Sequence, residues 1–327
     1  MNRVTISRRT VLAGMAAAAL IPALPRAHAQ DFSKRPLTIL VTYPAGGPAD
    51  LMARAIAEVM SERLGRPVLV DNRPGGGGQV AASALLRAPS DGHTMMIGDT
   101  STLGINKAVY PNFSFDPIND ITPVAPLMLM PLALYVPKTS PFNSVTDLVA
   151  GAKTRPLNYA SQGSGSLGHL LGEMLKAETG GQFNHVPYKG SAPAMNDLLG
   201  GQVDLLFDGI GPGLPYVTTG KLKALAVGGT KRLPQLPEVP TTAEAGLPSL
   251  NLALWLGVVV RAGTPAPLIA RLHGEISHVT AQPKVTKRFS DLGFQFMAMS
   301  SEEFGQFVKR EVVASEAIVR TRRIVLD

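Results

Sequence analysis

Three short stretches carry residue types that bind anions. The first is "YPAGGPAD" (residues 43–50), the second "DNRPGGGGQVAASALL" (71–86), the third "YASQGSGSLGHLLGEML" (159–175). Each runs from an apolar, strand-like segment through a Gly/Ser-rich turn into a helical pattern. Glycine lets a backbone approach a ligand closely and adopt positive φ. The helix that follows presents unpaired N–H groups and a partial positive charge at its first turn. Ser161, Ser164 and Ser166 add hydroxyl donors to the third turn. Together these features suit capture of a small anion on main-chain amides. Gly and Ser also occur in such turns as ordinary turn and cap residues. Four consecutive glycines, Gly75, Gly76, Gly77 and Gly78, exceed what capping requires.

Other chemistries lack their residues. A P-loop needs Lys-Ser/Thr after its glycines, and none of the three turns has it. "GSGSLG" (163–168) matches the dinucleotide fingerprint in letters, but no acidic residue ends a strand about 20 residues on. His185 and Tyr188 occupy that region instead. There is no G-x-S-x-G elbow to activate Ser164 or Ser166. His93, His169, His185, His273 and His278 show no metal-ligand spacing, and the chain has no cysteine. The expectation is a binding protein with no cofactor, no metal and no catalytic residues. The alternative is an exported hydrolase acting on a small acid through Ser164 or His169. His169, one helical turn past the serines, can bond a ligand or its own loop. Asp50 can organise the first turn, cap its helix, or receive an ammonium or hydroxyl group. In "VDLLFDG" Asp208, at the strand's end, can face a cleft, whereas Asp204 reads as capping or surface.

These turns need a scaffold, and the chain supplies a β-then-α pattern. Strand-like runs are "LTILVTY", "PVLVDN", "HTMMIGD", "LALYVP", "LNYAS", "FNHVPY", "VDLLFDG" and "LKALAVGG". Helical patterns lie between them; in one, Met52, Ile56, Val59, Met60 and Leu64 fall on a single stripe. Alternation of this kind predicts an α/β fold with parallel sheets and helices on both faces. Ligands in such folds collect at the carboxyl ends of the strands, where the three turns stand.

The N-terminus reads as an address. Arg3, Arg8 and Arg9 precede an apolar stretch too short for a confident membrane span, and Ala27-His28-Ala29 is an A-x-A cleavage signal. "SRRTVL" resembles the twin-arginine export signal. Residues 1–29 are thus expected to be a leader cleaved near Ala29, leaving a soluble periplasmic protein. Without the leader's four arginines the basic residues fall from 31 to 27 against 24 acidic, a net of +3. That is too mild for nucleic-acid binding, and no basic stripe with aromatics appears.

Ordered along the chain, "YPAGGPADLMAR", "DNRPGGGGQVAA", "PSDGHTMMIG", "YASQGSGSLGHL", "HVPYKGSAPAMNDLLGGQVDLLFD" and "RAGTPAPLIARLHGEI" resemble the substrate-binding proteins of tripartite tricarboxylate transporters, the Bug family of periplasmic receptors. The family often has Ala within the second glycine run and Tyr at His93. The resemblance implies a type II periplasmic-binding-protein fold, two α/β lobes flanking a ligand cleft with a hinge of two crossing segments. The crossings fall near 127–137 and 250–260. Lobe 1 then comprises 30–125 plus 255–327, and lobe 2 comprises 126–254. It further implies a monomer that holds a carboxylate between the first and third turns and delivers it to membrane transporter subunits or a sensor.

The ligand-binding residues so implied are Tyr43, Ala45, Gly46, Gly47 and Asp50 from the first turn, with Thr100 and Ser101 after the "MMIGD" strand. From lobe 2 they are Ser161, Gly163, Ser164, Ser166 and His169, then Tyr188, Lys189, Gly190 and Asp208. Lys189 can reach a second carboxylate or serve a surface ion pair. Trp255, at the second crossing, reads as a hinge or core residue. Mono-, di- and tricarboxylates, acidic amino acids and aromatic acids all fit one such clamp.

Overall fold

The computed structural model describes residues 35–110 and 112–322. The expected leader lies outside the described residues. The chain begins β1 (Leu37–Val41), α1 (Pro48–Leu64), β2 (Val68–Asn72), α2 (Gln79–Arg87), β3 (Thr94–Asp99) and a short α3 (Asn106–Val109). A long β4 (Ile121–Pro137) follows, then α4 (Val145–Thr154), β5 (Leu157–Ser161), α5 (Leu167–Thr179), β6 (Phe183–Pro187) and α6 (Ser191–Leu199). Next come β7 (Leu205–Gly209), α7 (Ile210–Thr218), β8 (Leu222–Val227) and β9 (Ala253–Arg261). The chain ends with α8 (Ala266–Thr280), α9 (Pro283–Asp291), β10 (Gln295–Phe296) and α10 (Ser301–Arg322).

The strands order as β2-β1-β3-β9-β4-β7-β5-β6, with β8 and β10 also pairing with β4. β1 runs parallel to β2 and β3, and β5 runs parallel to β6 and β7. β9 is antiparallel to β3 and β4, and β4 is antiparallel to β7 and β8. The all-parallel expectation therefore holds within each half and fails at the junction. The physical reason is directional. β4 carries the chain from the first half into the second and β9 carries it back, so the two passes run in opposite senses. β4 changes partners within itself: Ile121 to Pro131 pair with β9, and Leu132 to Pro137 pair with β7 and β8.

Each half has its own core. Leu40, Leu85, Met96, Trp255, Val259, Phe304 and Val308 cluster in the first. Leu157, Tyr159, Leu170, Met174, Phe183, Leu205 and Phe207 cluster in the second, joined by Ile105, Val109 and Val319. Burial of each Leu or Phe contributes about 1.5–3 kcal/mol. Trp255 is 1 % exposed, donates Nε1–H to Glu311 at 3.0 Å, and meets Phe304 and Phe307 edge-on. It is a core residue beside the junction.

The α1 stripe buries Met52, Ile56 and Met60 against the sheet. Pro48 opens that helix, where a missing N–H costs nothing, and Gly65 closes it at φ 61°.

Candidate functional site

The turn after β1 and the turn after β5 come from opposite halves of the sheet and line the same two cavities. The larger has a volume of about 560 Å³ and is lined by Tyr43, Ala45, Gly46, Gly47, Gln162, Ser166, Lys189, Gly190 and Asp208 among others. A neighbour of about 490 Å³ is lined by Gly75, Gly76, Gly77, Gly78, Tyr110, Gly163, Ser164 and Tyr188. Tyr43, Pro44, Gln162, Ser166, Lys189 and Gly190 belong to both walls.

The first turn is held open by its own helix. Gly46 N–H donates to Asp50 Oδ2 at 2.9 Å, and Arg54 Nε donates to the same oxygen at 2.9 Å. Burial alone would raise the Asp50 carboxyl; the Arg54 guanidinium and the Gly46 N–H instead hold it below the usual carboxylate range. The N–H groups of Ala45 and Gly47 make no hydrogen bond among the described residues. They are therefore free for an incoming acceptor. The Tyr43 phenol donates to Asp99 at 2.9 Å, and burial, then the Asp99 charge, pushes it well above its ordinary value. Its ring, not its hydroxyl, serves the cavity wall.

The third turn, after β5, has a similar economy of donors. Ser166 caps α5 by accepting from His169 N–H at 3.3 Å, and Gly165 N–H donates to His169 Nδ1 at 3.2 Å. Gly163 N–H goes to Ser161 Oγ at 3.1 Å. The Ser164 N–H has no partner among the described residues, and its side chain is exposed. Free donors thus point inward from both halves, an arrangement that suits a carboxylate without an arginine.

Five expected contact residues are placed off the cavity walls. Asp50 is 2 % exposed and spent on Gly46 and Arg54. Thr100 and Ser101 wind inward in a π-helical turn (Thr100–Ile105); the Thr100 hydroxyl bridges Ala253 carbonyl and Trp255 N–H. Ser161 is fully buried, with Oγ 2.7 Å from His185 Nε2. His169 is 5 % exposed and supports its own turn. Each lies behind the cavity walls: Asp50 and His169 are buried in the first turns of α1 and α5, Ser161 ends β5, and Thr100 and Ser101 follow β3. A hydrolytic role for His169 fails on the same ground, since it opens onto neither cavity wall, while Ser164 lines the smaller cavity with no histidine beside it on that wall.

Sequence reasoning missed Gln162. Its carbonyl accepts from Gly190 N–H at 3.1 Å and its Nε2–H donates to the Phe207 carbonyl at 2.8 Å, tying three strand exits together. Gly168 explains the fingerprint-like letters: a Cβ there would lie 2.5 Å from Gln162 Oε1 and 2.7 Å from the Phe207 carbonyl. The glycine serves close helix–strand packing rather than a nucleotide. Also missed is the apolar floor of the larger cavity, formed by Met130, Leu132, Leu254, Leu256, Leu292 and Phe294. An apolar residue facing a cleft reads in sequence like one facing a core.

The tetraglycine turn has a packing cause. All four glycines have positive φ, from 56° to 124°. A Cβ on Gly78 would lie 2.4 Å from the Thr102 hydroxyl, and one on Gly77 would lie 2.7 Å from Asn106 Nδ2. Asp208 closes the site from β7. Its Oδ1 accepts from Gly209 N–H at 2.7 Å and its Oδ2 from the Ser191 hydroxyl. Burial lifts this carboxyl to about 6, against those two donors.

Among the described residues no three His, Asp or Glu side chains are grouped to hold a metal, and no helix is long and apolar enough to cross a membrane.

Residues 52–324 match the family described as tripartite tricarboxylate transporter family receptor. A UPF0065 protein from the tcbD–tcbE intergenic region of Pseudomonas sp. (strain P51) is 37 % identical over 322 residues, 98 % of this chain and 96 % of that protein. Among solved structures, Rpa4515 of R. palustris with adipate superposes with a TM-score of 0.83 at 35 % identity, covering 90 % of this chain and 99 % of its own. MatC of Rhodopseudomonas palustris with bound malate gives 0.82 at 33 %, covering 88 % and 100 %. The periplasmic binding protein BugD gives 0.82 at 32 %, covering 89 % and 98 %.

Proposed function

The chain belongs to the tripartite tricarboxylate transporter receptor family and has the α/β fold of periplasmic binding proteins, and from that premise we propose that it captures a small carboxylate between two lobes in the periplasm. Members of this family are receptors that bind a substrate, not enzymes. The observation that carries the reading is the pair of turns from opposite halves, each offering unpaired N–H groups to one cavity. Relatives of the same fold hold adipate and malate.

The lobes are residues 30–125 with 255–327, and 126–254. This division is supported by β4 changing partners between Pro131 and Leu132 and by β9 returning beside it. Closure over the ligand by bending at β4 and β9 would bury it and join the halves. The closed monomer then delivers its ligand to membrane transporter subunits or a sensor. The leader directs export and is removed near Ala29.

A thermal-shift screen against about a hundred organic acids tests the reading. A ligand at about 100 Kd raises stability by roughly 2.7 kcal/mol and is recovered unchanged. Stabilisation by no organic acid, or consumption of the stabilising one, would defeat it.

A further inference from the structure

The charged groups on the larger cavity are unevenly placed. Lys189 lines both cavities, beside the two anion-binding turns. Asp208 lines the larger cavity alone, and it is the one carboxylate among the described residues of that wall. Around it the wall sets Gln162, Ser191 and Asn196 beside an apolar floor. Gly209 pairs with Leu132 in the sheet, and the Met130 thioether lies against Gly209, where an added Cβ would have to displace it. Leu254 and Leu256 continue this floor on β9.

Two helices, α6 and α7, begin beside Asp208, and their starts would ordinarily welcome a second ligand carboxylate. Asp208 already occupies them. The Ser191 hydroxyl at the start of α6 donates to one oxygen, and the Gly209 N–H preceding α7 donates to the other. A ligand's far carboxylate would therefore meet the like charge of Asp208 above an apolar floor, with Lys189, two residues before Ser191, as the one cation on that wall among the described residues. Two like charges held close together in a buried site are disfavoured. A donor would meet the opposite situation, because each Asp208 oxygen keeps a lone pair after its present bond.

We propose that Asp208 is the specificity-determining residue of this site, selecting a monocarboxylate with an apolar body and a hydroxyl or ammonium donor at its far end. This rests on the carboxylate reading above. The near carboxylate binds at the turns containing Gly47 and Ser164, the body lies on Met130, Leu132 and Leu254, and the donor reaches Asp208.

Isothermal titration calorimetry on the wild-type protein tests the selection with two matched series. One is butyrate, 4-hydroxybutyrate and succinate; the other is hexanoate, 6-hydroxyhexanoate and adipate. In at least one series the hydroxy acid is expected to bind tightest, and its diacid at least tenfold more weakly. Asp208→Asn is expected to close that gap to within threefold. A diacid binding as tightly as its hydroxy acid in both series overturns the selection, and this is read on wild type whether or not the variant folds. An unchanged gap in a variant with native circular dichroism also overturns it. Binding of malate or citrate but of none of the six overturns the selection alone. Failure of all six together with malate and citrate removes the carboxylate reading instead.

Discussion

His169 and His185 lie face to face, ring centroids 3.6 Å apart and planes 9° from parallel, directly behind the turn that carries Ser164. Tyr159 extends the stack at 5.0 Å from His185. Burial, then the presence of a second titratable ring in His185, pushes His169 down to about 3; burial also lowers His185. Both rings are neutral in the folded protein at pH 7. His169 must be neutral there, because its Nδ1 accepts from Gly165 N–H.

The sign of the pH effect follows. The unfolded chain takes up protons on these histidines below about pH 6.5, and the folded chain resists them. The stabilisation is fully present above pH 6.5 and, for His169, is lost as pH falls toward 3, at up to about 1.4 kcal/mol per pH unit; His185 acts in the same direction. His185→Gln, which removes one ring, is expected to flatten the dependence of Tm on pH between 6.5 and 4. An unchanged slope by calorimetry would show that the stack does not control acid stability.

Asp208 works in the opposite direction. Its folded value near 6 lies above the unfolded value of 3.8. The contribution is therefore present below pH 3.8 and lost as pH rises through 6, by about 3 kcal/mol in all. The groups facing it are Ser191, the Gly209 N–H, the Gln162 side chain and the nearby Tyr135, with Lys189 on the same cavity wall. Asp208→Asn in the ligand-free protein is expected to raise Tm at pH 8, with the gain shrinking toward pH 5. A variant less stable than wild type at pH 8 would contradict the burial account.

Ser164 and Ser166 of the third turn separate binding from folding. Ser164 is exposed on a cavity wall, whereas Ser166 caps α5. Ser164→Ala is expected to leave Tm unchanged and weaken ligand binding by about 1–2 kcal/mol. Ser166→Ala is expected to lower stability by about 1 kcal/mol through the lost cap. Titration and thermal melts of both variants distinguish the roles, and equal Tm losses would erase the distinction.

Much of this arrangement was readable because it is local. The Met52, Ile56 and Met60 stripe follows the helical period, and the glycines and serines of the turns sit within a few residues of their strands. Strand direction was not readable: periodicity says which residues alternate, not which way β4 and β9 run. Thr100 and Ser101 follow a strand exit, as cleft residues do, yet a π-helical turn buries both. Met130 and Leu254 are core-like in type and face a cavity only because two distant strands meet there.

Gly47 precedes α1 in extended backbone at φ −81°, a conformation open to any residue. An added Cβ meets only the Pro44 carbonyl, at 3.9 Å. Gly47→Val is thus expected to fold with the wild-type Tm, while its branched side chain blocks approach to the turn's N–H groups. The ligand-dependent rise in Tm should vanish. Retained ligand stabilisation would place the carboxylate elsewhere.

Tyr110 lies close to both glycine-rich turns, 71–86 and 159–175, that line the smaller cavity. Its ring would lie 3.0 Å from a Cβ on Gly77, and its hydroxyl 2.5 Å from a Cβ on Gly165, a residue from the opposite half. Gly165 also has φ +76°. Gly165→Ala therefore faces two separable penalties: left-handed backbone, about 1 kcal/mol for a single residue, and collision with a ring stacked on Phe113. Tyr110→Ala in the same chain removes the collision and keeps the backbone strain. The double variant is expected to recover part of the stability and affinity lost by Gly165→Ala, with a coupling above 0.5 kcal/mol in a double-mutant cycle. Strict additivity of the two substitutions would mean that Tyr110 and Gly165 are not in contact in solution.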